Sequence, residues 1–233
     1  MKKLSVSAII FDLDDTLFDT HNTLTPLANE EACQAMIAAG LDANLAECLQ
    51  TKEQLQKEHP RQDIFSLLAK HFGQKVDSSL KDEEFLANLG RHTFYSREIE
   101  EDIKPFAGVI PLLAFLKNHA MLFLVTSGEE KTQQKKIDKL KIKKFFNKIY
   151  FVNHLEGQRK LGAFQKIQQF THFSSQAILC VGDRIDREIT DAQKLGFHTC
   201  LIHRYGVVTH SLPHIQPEYV VTHVNEIRRI LEI

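Results

Sequence analysis

The chain has 233 residues and a formal charge of −1, from 29 lysines and arginines against 30 acids, which leaves no basic excess for a general polyanion binder. Hydrophobic residues make up 43% and charged residues 25%, so an intrinsically disordered chain is excluded and a packed core is expected. The length suits one large domain or a core with a smaller insertion, and no apolar run approaches the roughly 20 residues that span a bilayer.

Residues 6–11 are apolar and partly β-branched without helical spacing, the pattern of a strand buried on both faces that runs straight into Asp12. The interval 18–102 reads differently, as consecutive helices with no buried strand between them. Four are expected. The first has Thr25 as its cap and Pro26 in its first turn and stops at Gly40; the second runs from Asp42 toward Pro60. The third spans 63–72 before Gly73, and the fourth spans 82–97. Beyond this interval, Val109, Leu112, Leu113 and Leu116 give one helix an apolar face. Short apolar runs then recur at 121–125, 149–152, 177–181 and 199–202, separated by stretches with helix-like spacing. This alternation predicts an α/β protein with a Rossmann-like parallel sheet and crossover helices. The domain reading is a catalytic core of 1–17 and 103–233 interrupted by a helical domain of 18–102.

Eight lysines and one acid lie between Lys131 and Lys148, which reads as a solvated helix face, with weak steering of an anionic substrate as the functional alternative. Cys33, Cys48, Cys180 and Cys200 lack the close pairing of a zinc or dithiol site and are expected to be reduced packing residues. The Met1-Lys2-Lys3 start has no small-residue cleavage site after it, so the expectation is a cytoplasmic protein.

Three strand ends carry the chemistry. The first, Phe11-Asp12-Leu13-Asp14-Asp15-Thr16, sets carboxylates just beyond a strand tip, where open α/β sheets bind ligands. In extended chain Asp12 and Asp14 project to one side, so their repulsion invites a cation and can raise the pKa of one of them. Asp15 reads as a turn residue. At the second strand end, Thr126, Ser127 and Gly128 offer hydroxyls and backbone to a phosphoryl oxygen. The third, Gly182-Asp183-Arg184-Ile185-Asp186-Arg187-Glu188, adds acids able to complete a site for a hard cation such as Mg²⁺.

In this order the three segments resemble the haloacid dehalogenase-like hydrolases, and the likeness extends from Ile9 to the C-terminus. Asp12, Asp14 and Thr16 match the family's Asp-x-Asp-x-Thr signature, Thr126 its second motif and Asp183 its fourth. The third motif, a lysine before an amphipathic helix, is best matched by Lys160, although the proline that often follows is Leu161 here. Glu188 stands where the family commonly has an aspartate, and Asp186 is one residue too early.

The resemblance implies phosphoryl transfer through an aspartyl-phosphate, with Asp12 as nucleophile and Asp14 as acid and then base. It implies Mg²⁺ held by Asp12, the Asp14 backbone carbonyl and Asp183, with Glu188 either reaching the metal directly or holding a metal-bound water. Thr126, Ser127, Gly128 and Lys160 would hold the phosphoryl group. The interval 18–102 sits where the family carries a helical cap, with His21, Asn22, the His59-Pro60-Arg61 turn and Arg97 as candidate substrate contacts and Arg204 as a further one in the core. Asp14 speaks against dehalogenation, because dehalogenases need no acid two positions after the nucleophile. The expected partner is a small phosphorylated metabolite, with no nucleic acid and no membrane, and the protein a monomer or homodimer. A phosphomutase of the same family is the alternative, and a catalytically silent binding protein a more distant one.

Overall fold

The computed structural model describes residues 3–59, 62–74, 82–153, 157–204 and 215–232. The chain separates into two compact units, one formed by residues 1–20 and 100–233 and the other by residues 21–99.

The first unit is built on a six-stranded, wholly parallel sheet. Its strands are β1 (Ala8–Phe11), β2 (Met121–Ser127), β3 (Lys148–Val152), β4 (Ile178–Gly182), β5 (His198–Ile202) and β6 (Tyr219–Val221), in the spatial order β3-β2-β1-β4-β5-β6. All four residues of β1 are buried, as the unbroken apolar run predicts for a central strand covered on both faces. Alternate residues serve opposite faces. Ala8, Ile10, Phe123, Val125 and Cys180 pack with Phe164 and Ile167 of α7 (Lys160–Thr171) and Ala192 of α8 (Thr190–Lys194). Their neighbours Ile9, Phe11, Leu122 and Leu124 are buried on the other side of the pleat. Helix α5 (Val109–Leu116) buries Val109, Leu112, Leu113 and Leu116, the face read from its spacing. Helix α6 (Glu130–Leu140) follows β2 and buries Gln133, Ile137 and Leu140. The short α9 (Ile227–Ile230) ends the chain's regular structure.

The α/β architecture expected from the alternation is therefore present. The topology also has a switch point. The chain steps from β1 to β2 and β3 on one side, then returns to β4 beside β1 and continues outward to β6. A crevice at the strand tips follows from this reversal, because loops diverge there.

The second unit contains α1 (Thr20–Ala38) from its second residue onward, α2 (Leu45–Glu58), α3 (Ile64–Phe72) and α4 (Glu83–Tyr95). Asn44, Asp63 and Asp82 cap the last three helices with side-chain oxygens on first-turn amides. Cys33, Met36, Leu41, Cys48, Phe65, Leu68 and Leu86 form a common core. The start of α1 departs from the sequence expectation: the helix opens at Thr20, not at a Thr25 cap, and Pro26 lies inside it. The buried stripe explains the extension, since Leu24 on one side of the proline continues into Ala28, Ala32 and Met36 on the other. Burial along that stripe outweighs the one backbone bond that proline forfeits. No helix among the described residues is long and apolar enough to cross a membrane.

Candidate active site

Register assembles the site. Phe11 is opposite Leu124 of β2 and Val181 of β4, so Asp12 lies one residue past the paired segment, and Thr126 and Asp183 lie two residues past it. Asp12 is tied to β4 by its own amide, which donates to the Val181 carbonyl at 3.0 Å. Side chains far apart in the sequence are thus brought to the carboxyl tips of three adjacent strands.

Asp12, Asp183 and Glu188 each offer a carboxylate oxygen, and these oxygens all lie within 4.8 Å of one another. Lys160, 4% exposed at the first residue of α7, places its Nζ 2.5 Å from Asp12 Oδ1 and also pairs with Glu188. One ammonium does not balance three carboxylates. Burial pushes the Asp12 carboxyl up to about 7 despite the lowering pull of Lys160, and Glu188 and Asp14 add to the rise. Burial raises Asp183 well above the usual carboxylate range, with Glu188 and Asp12 reinforcing it. For Glu188, burial is outweighed by Lys160, which holds it below its ordinary value. An all-oxygen, net-negative cluster of this kind fits a hard divalent cation such as Mg²⁺.

Glu188 reaches the cluster through a single π-type turn, Ile185–Ile189. Its Oε2 accepts the Arg184 amide at 3.3 Å, and Gly182 leaves the space beside it, since a Cβ there would lie 2.7 Å from Glu188 Cγ. Asp186 is turned away, forked onto the Arg184 guanidinium at 2.9 and 3.1 Å. Lys160 is held from below as well. Arg159 supplies no side-chain cap to α7, and the Leu161 amide, which a proline at this position would lack, donates to the buried Asp191 at 3.2 Å. Arg159 donates to the same carboxylate at 2.9 Å.

Asp14 lies apart from this cluster in side-chain terms. Its Oδ1 accepts from Thr20 Oγ1 at 2.6 Å and Lys136 Nζ at 2.7 Å, and its Oδ2 from Gln133 Nε2 at 2.8 Å. Burial works to raise its pKa, but Lys136 and these donors overcome it and hold the carboxyl below its usual value. The raised pKa expected for one of the two aspartates therefore falls on Asp12, because only Asp12 sits among other acids. Asp15 takes a left-handed φ of 58° in the turn that brings its amide to the Phe18 carbonyl, a conformation aspartate tolerates better than most residues.

Thr126 is fully buried, with Oγ1 accepting from Gln133 Nε2 at 2.5 Å, while the Ser127 carbonyl accepts from the same nitrogen at 2.7 Å. Gly128, the last residue of the segment expected to offer hydroxyls and backbone to a phosphoryl oxygen, uses its amide within the sheet. That amide donates to the Val152 carbonyl at 3.0 Å to close the turn against β3, and the φ of 141° is what requires glycine.

Gln133 and Lys136 were not among the residues singled out in the sequence. Gln133 carries a faint signal, a polar side chain on the stripe set by Ile137 and Leu140, whereas Lys136 is indistinguishable from the seven other lysines around it. Of the candidate substrate contacts, Arg97 is paired with Glu31 at 2.8 Å, and Arg204 stacks 3.6 Å from the Phe106 ring centroid. His21 and Asn22 lie in the first turn of α1, and His59 ends α2. Pro60 and Arg61 lie outside the described residues.

Residues 9–202 match the pattern that defines the haloacid dehalogenase-like hydrolases. Among relatives, a glyceraldehyde 3-phosphate phosphatase of Methanopyrus kandleri is 29% identical, over 85% of this chain and 84% of its own. Another of the same name from Methanocaldococcus jannaschii is 28% identical over 84% and 85%. The magnesium-bound structure of the Bacillus subtilis HAD-hydrolase YfnB superimposes with a TM-score of 0.66, at 21% identity, covering 98% of this chain and 99% of that one. A HAD phosphatase from Thermococcus onnurineus gives 0.65 at 18% identity, covering 97% and 98%. At such identities the two structures speak for the fold alone. The family pattern, by contrast, spans all three strand ends described above, and on that match the chain belongs to the haloacid dehalogenase-like hydrolases.

Proposed function

We propose that this hydrolase is a Mg²⁺-dependent phosphatase that cleaves a small phosphomonoester through an aspartyl-phosphate on Asp12. The observation that carries the reading is the convergence of Asp12, Asp183 and Glu188 within 4.8 Å, with the Lys160 ammonium against Asp12. Mg²⁺, when bound, offsets the repulsion between a carboxylate and a phosphate dianion. Asp12 attacks phosphorus, and the bond from phosphorus to the alcohol oxygen breaks as that oxygen takes a proton through Asp14, which is ionised in the resting site and acquires the proton from the bound phosphoryl group or from solvent. Asp14 then takes a proton from the water that attacks the same phosphorus. Inorganic phosphate leaves, and Asp12 is restored. Thr126 donates its hydroxyl to a phosphoryl oxygen, Ser127 lies beside it, and Lys160 balances charge as the transferred group moves.

The helical domain of 18–102, inserted between the first two strands in the sequence, is the segment we assign to substrate choice. Glyceraldehyde 3-phosphate, named for several relatives, is the first compound to try in a panel of phosphorylated metabolites. Phosphate release from para-nitrophenyl phosphate, with and without Mg²⁺, tests the reaction. Asp12→Asn is expected to abolish it and to leave no phosphorylated species in an intact mass spectrum. A variant that turns over at the wild-type rate would remove Asp12 from the nucleophile's role.

A further inference from the structure

Gln133 is 1% exposed, on the face of α6 that also buries Ile137 and Leu140, where an apolar residue would pack without desolvating an amide. Its Nε2 faces three acceptors at once: Asp14 Oδ2 at 2.8 Å, Thr126 Oγ1 at 2.5 Å and the Ser127 carbonyl at 2.7 Å. Chemistry fixes which way the amide points. Turned over, its oxygen would meet a carboxylate and a carbonyl, neither of which has a proton to give. The cost of the observed orientation is visible in Oε1, which is buried without a partner. A side chain that accepts this cost to satisfy oxygens on two different strand ends is doing more than filling space.

The amide nitrogen has no lone pair to accept a hydrogen bond. However its two protons are shared among three acceptors, the Thr126 hydroxyl proton is directed away from Gln133. We infer that Gln133 is a positioning residue, which holds the Asp14 carboxylate and the Thr126 hydroxyl in one fixed relation and leaves the threonine proton for a phosphoryl oxygen. This rests on the phosphatase reading and assigns a task within it to a residue outside the three strand-end segments. Gly128 belongs to the same arrangement: a Cβ at that position would come within 3.2 Å of Gln133 Cδ and Cγ, so the tight turn after β2 lets the amide in.

The test uses two substrates of unequal leaving group, para-nitrophenyl phosphate and glycerol phosphate, and two near-isosteric variants, Gln133→Met and Gln133→Glu. Methionine fills the space without donors; glutamate keeps the shape but turns a donor into an acceptor beside Asp14. Thermal melting reports the fold of each variant. Both are expected to melt cooperatively and to lose about 10- to 100-fold in kcat with little change in KM. The loss should be larger for glycerol phosphate, whose alkoxide needs the proton from Asp14. If either variant fails to fold, the other carries the measurement. A wild-type kcat in Gln133→Met, a loss equal for both substrates, or a change confined to KM would overturn the inference while leaving the phosphatase reading intact. A wild-type protein that releases no phosphate from any compound would remove both.

Discussion

Gly182→Ala should damage the acid cluster without touching any charged group. The glycine closes β4, immediately before Asp183, and the added methyl would sit 2.7 Å from Glu188 Cγ and 2.9 Å from its Cβ. Ordinary contact between carbons needs about 3.5 Å or more, so Glu188 must retreat by well over half an ångström. It has little freedom to do so. The π-type turn fixes its backbone, the Arg184 amide holds one carboxylate oxygen, and Lys160 pairs with the other. A displacement of this size matches the roughly 0.5 Å within which a preorganised site must be held, so the cluster loses its arrangement as well as its packing. Overpacking of this kind costs about 1–3 kcal/mol, which lowers Tm by roughly 3–9 °C in a chain of this size. Two measurements follow: thermal denaturation, and a magnesium titration of phosphate release. The expected outcome is a lower Tm together with a raised magnesium requirement. A variant that melts with the wild type and needs no more magnesium would show that Glu188 adapts freely, and the argument for a rigid cluster would be refuted.

Asp183→Ala is expected to raise the magnesium requirement most and Glu188→Ala by about 10- to 100-fold, whereas Asp186→Ala, whose carboxylate pairs with Arg184, should leave it unchanged. The reverse order in the same titrations would shift the fourth motif by two residues. In the helical unit, Lys52 is 4% exposed, its Nζ 5.5 Å from the centroids of both Phe65 and Phe94 and 3.4 Å from Gln56 Oε1. Lys52→Met should therefore stabilise the protein by about 1–2 kcal/mol in urea denaturation at neutral pH. Burial lowers the Lys52 pKa from its ordinary 10.5, so the wild type's penalty is complete below the lowered value and fades as pH rises toward 10.5. The advantage of methionine should shrink over the same window, and an advantage that grows with pH would contradict the assignment.

The parts of this protein that were legible in its sequence are those written in short-range pattern. Unbroken apolar runs gave β1, β2 and β4 because central parallel strands are covered on both faces, and the acids that follow them mark where those strands stop. The starts of the helices at Asp63 and Asp82, which the structure shows as caps, were legible for the same local reason. Pro26 misled because a local rule was applied where a longer stripe of burial prevailed. Gly128 shows a related limit: the glycine stands out in the sequence, but the bond of its amide to β3 depends on a partner that only the sheet order supplies.

Lys136 and Gln133 show where short-range reading ends. Their contacts with Asp14 cross 122 and 119 residues, and they exist because β1 and β2 are neighbours with Phe11 opposite Leu124. A strand shifted by one residue would turn alternate side chains to the other face and break the alignment of the three strand tips. Register is itself fixed by burial, since Ile10, Phe123, Val125 and Cys180 must all face the core beneath α7. The same apolar pattern that specifies the fold therefore also sets which polar side chains meet at its edge. Neither pair of partners could be read from the lysine-rich helix alone, yet both follow once the pleat is in place. The site depends on the core in a direct mechanical sense: Asp12 and Thr126 keep their separation only as long as the packed residues behind them hold β1 and β2 in step.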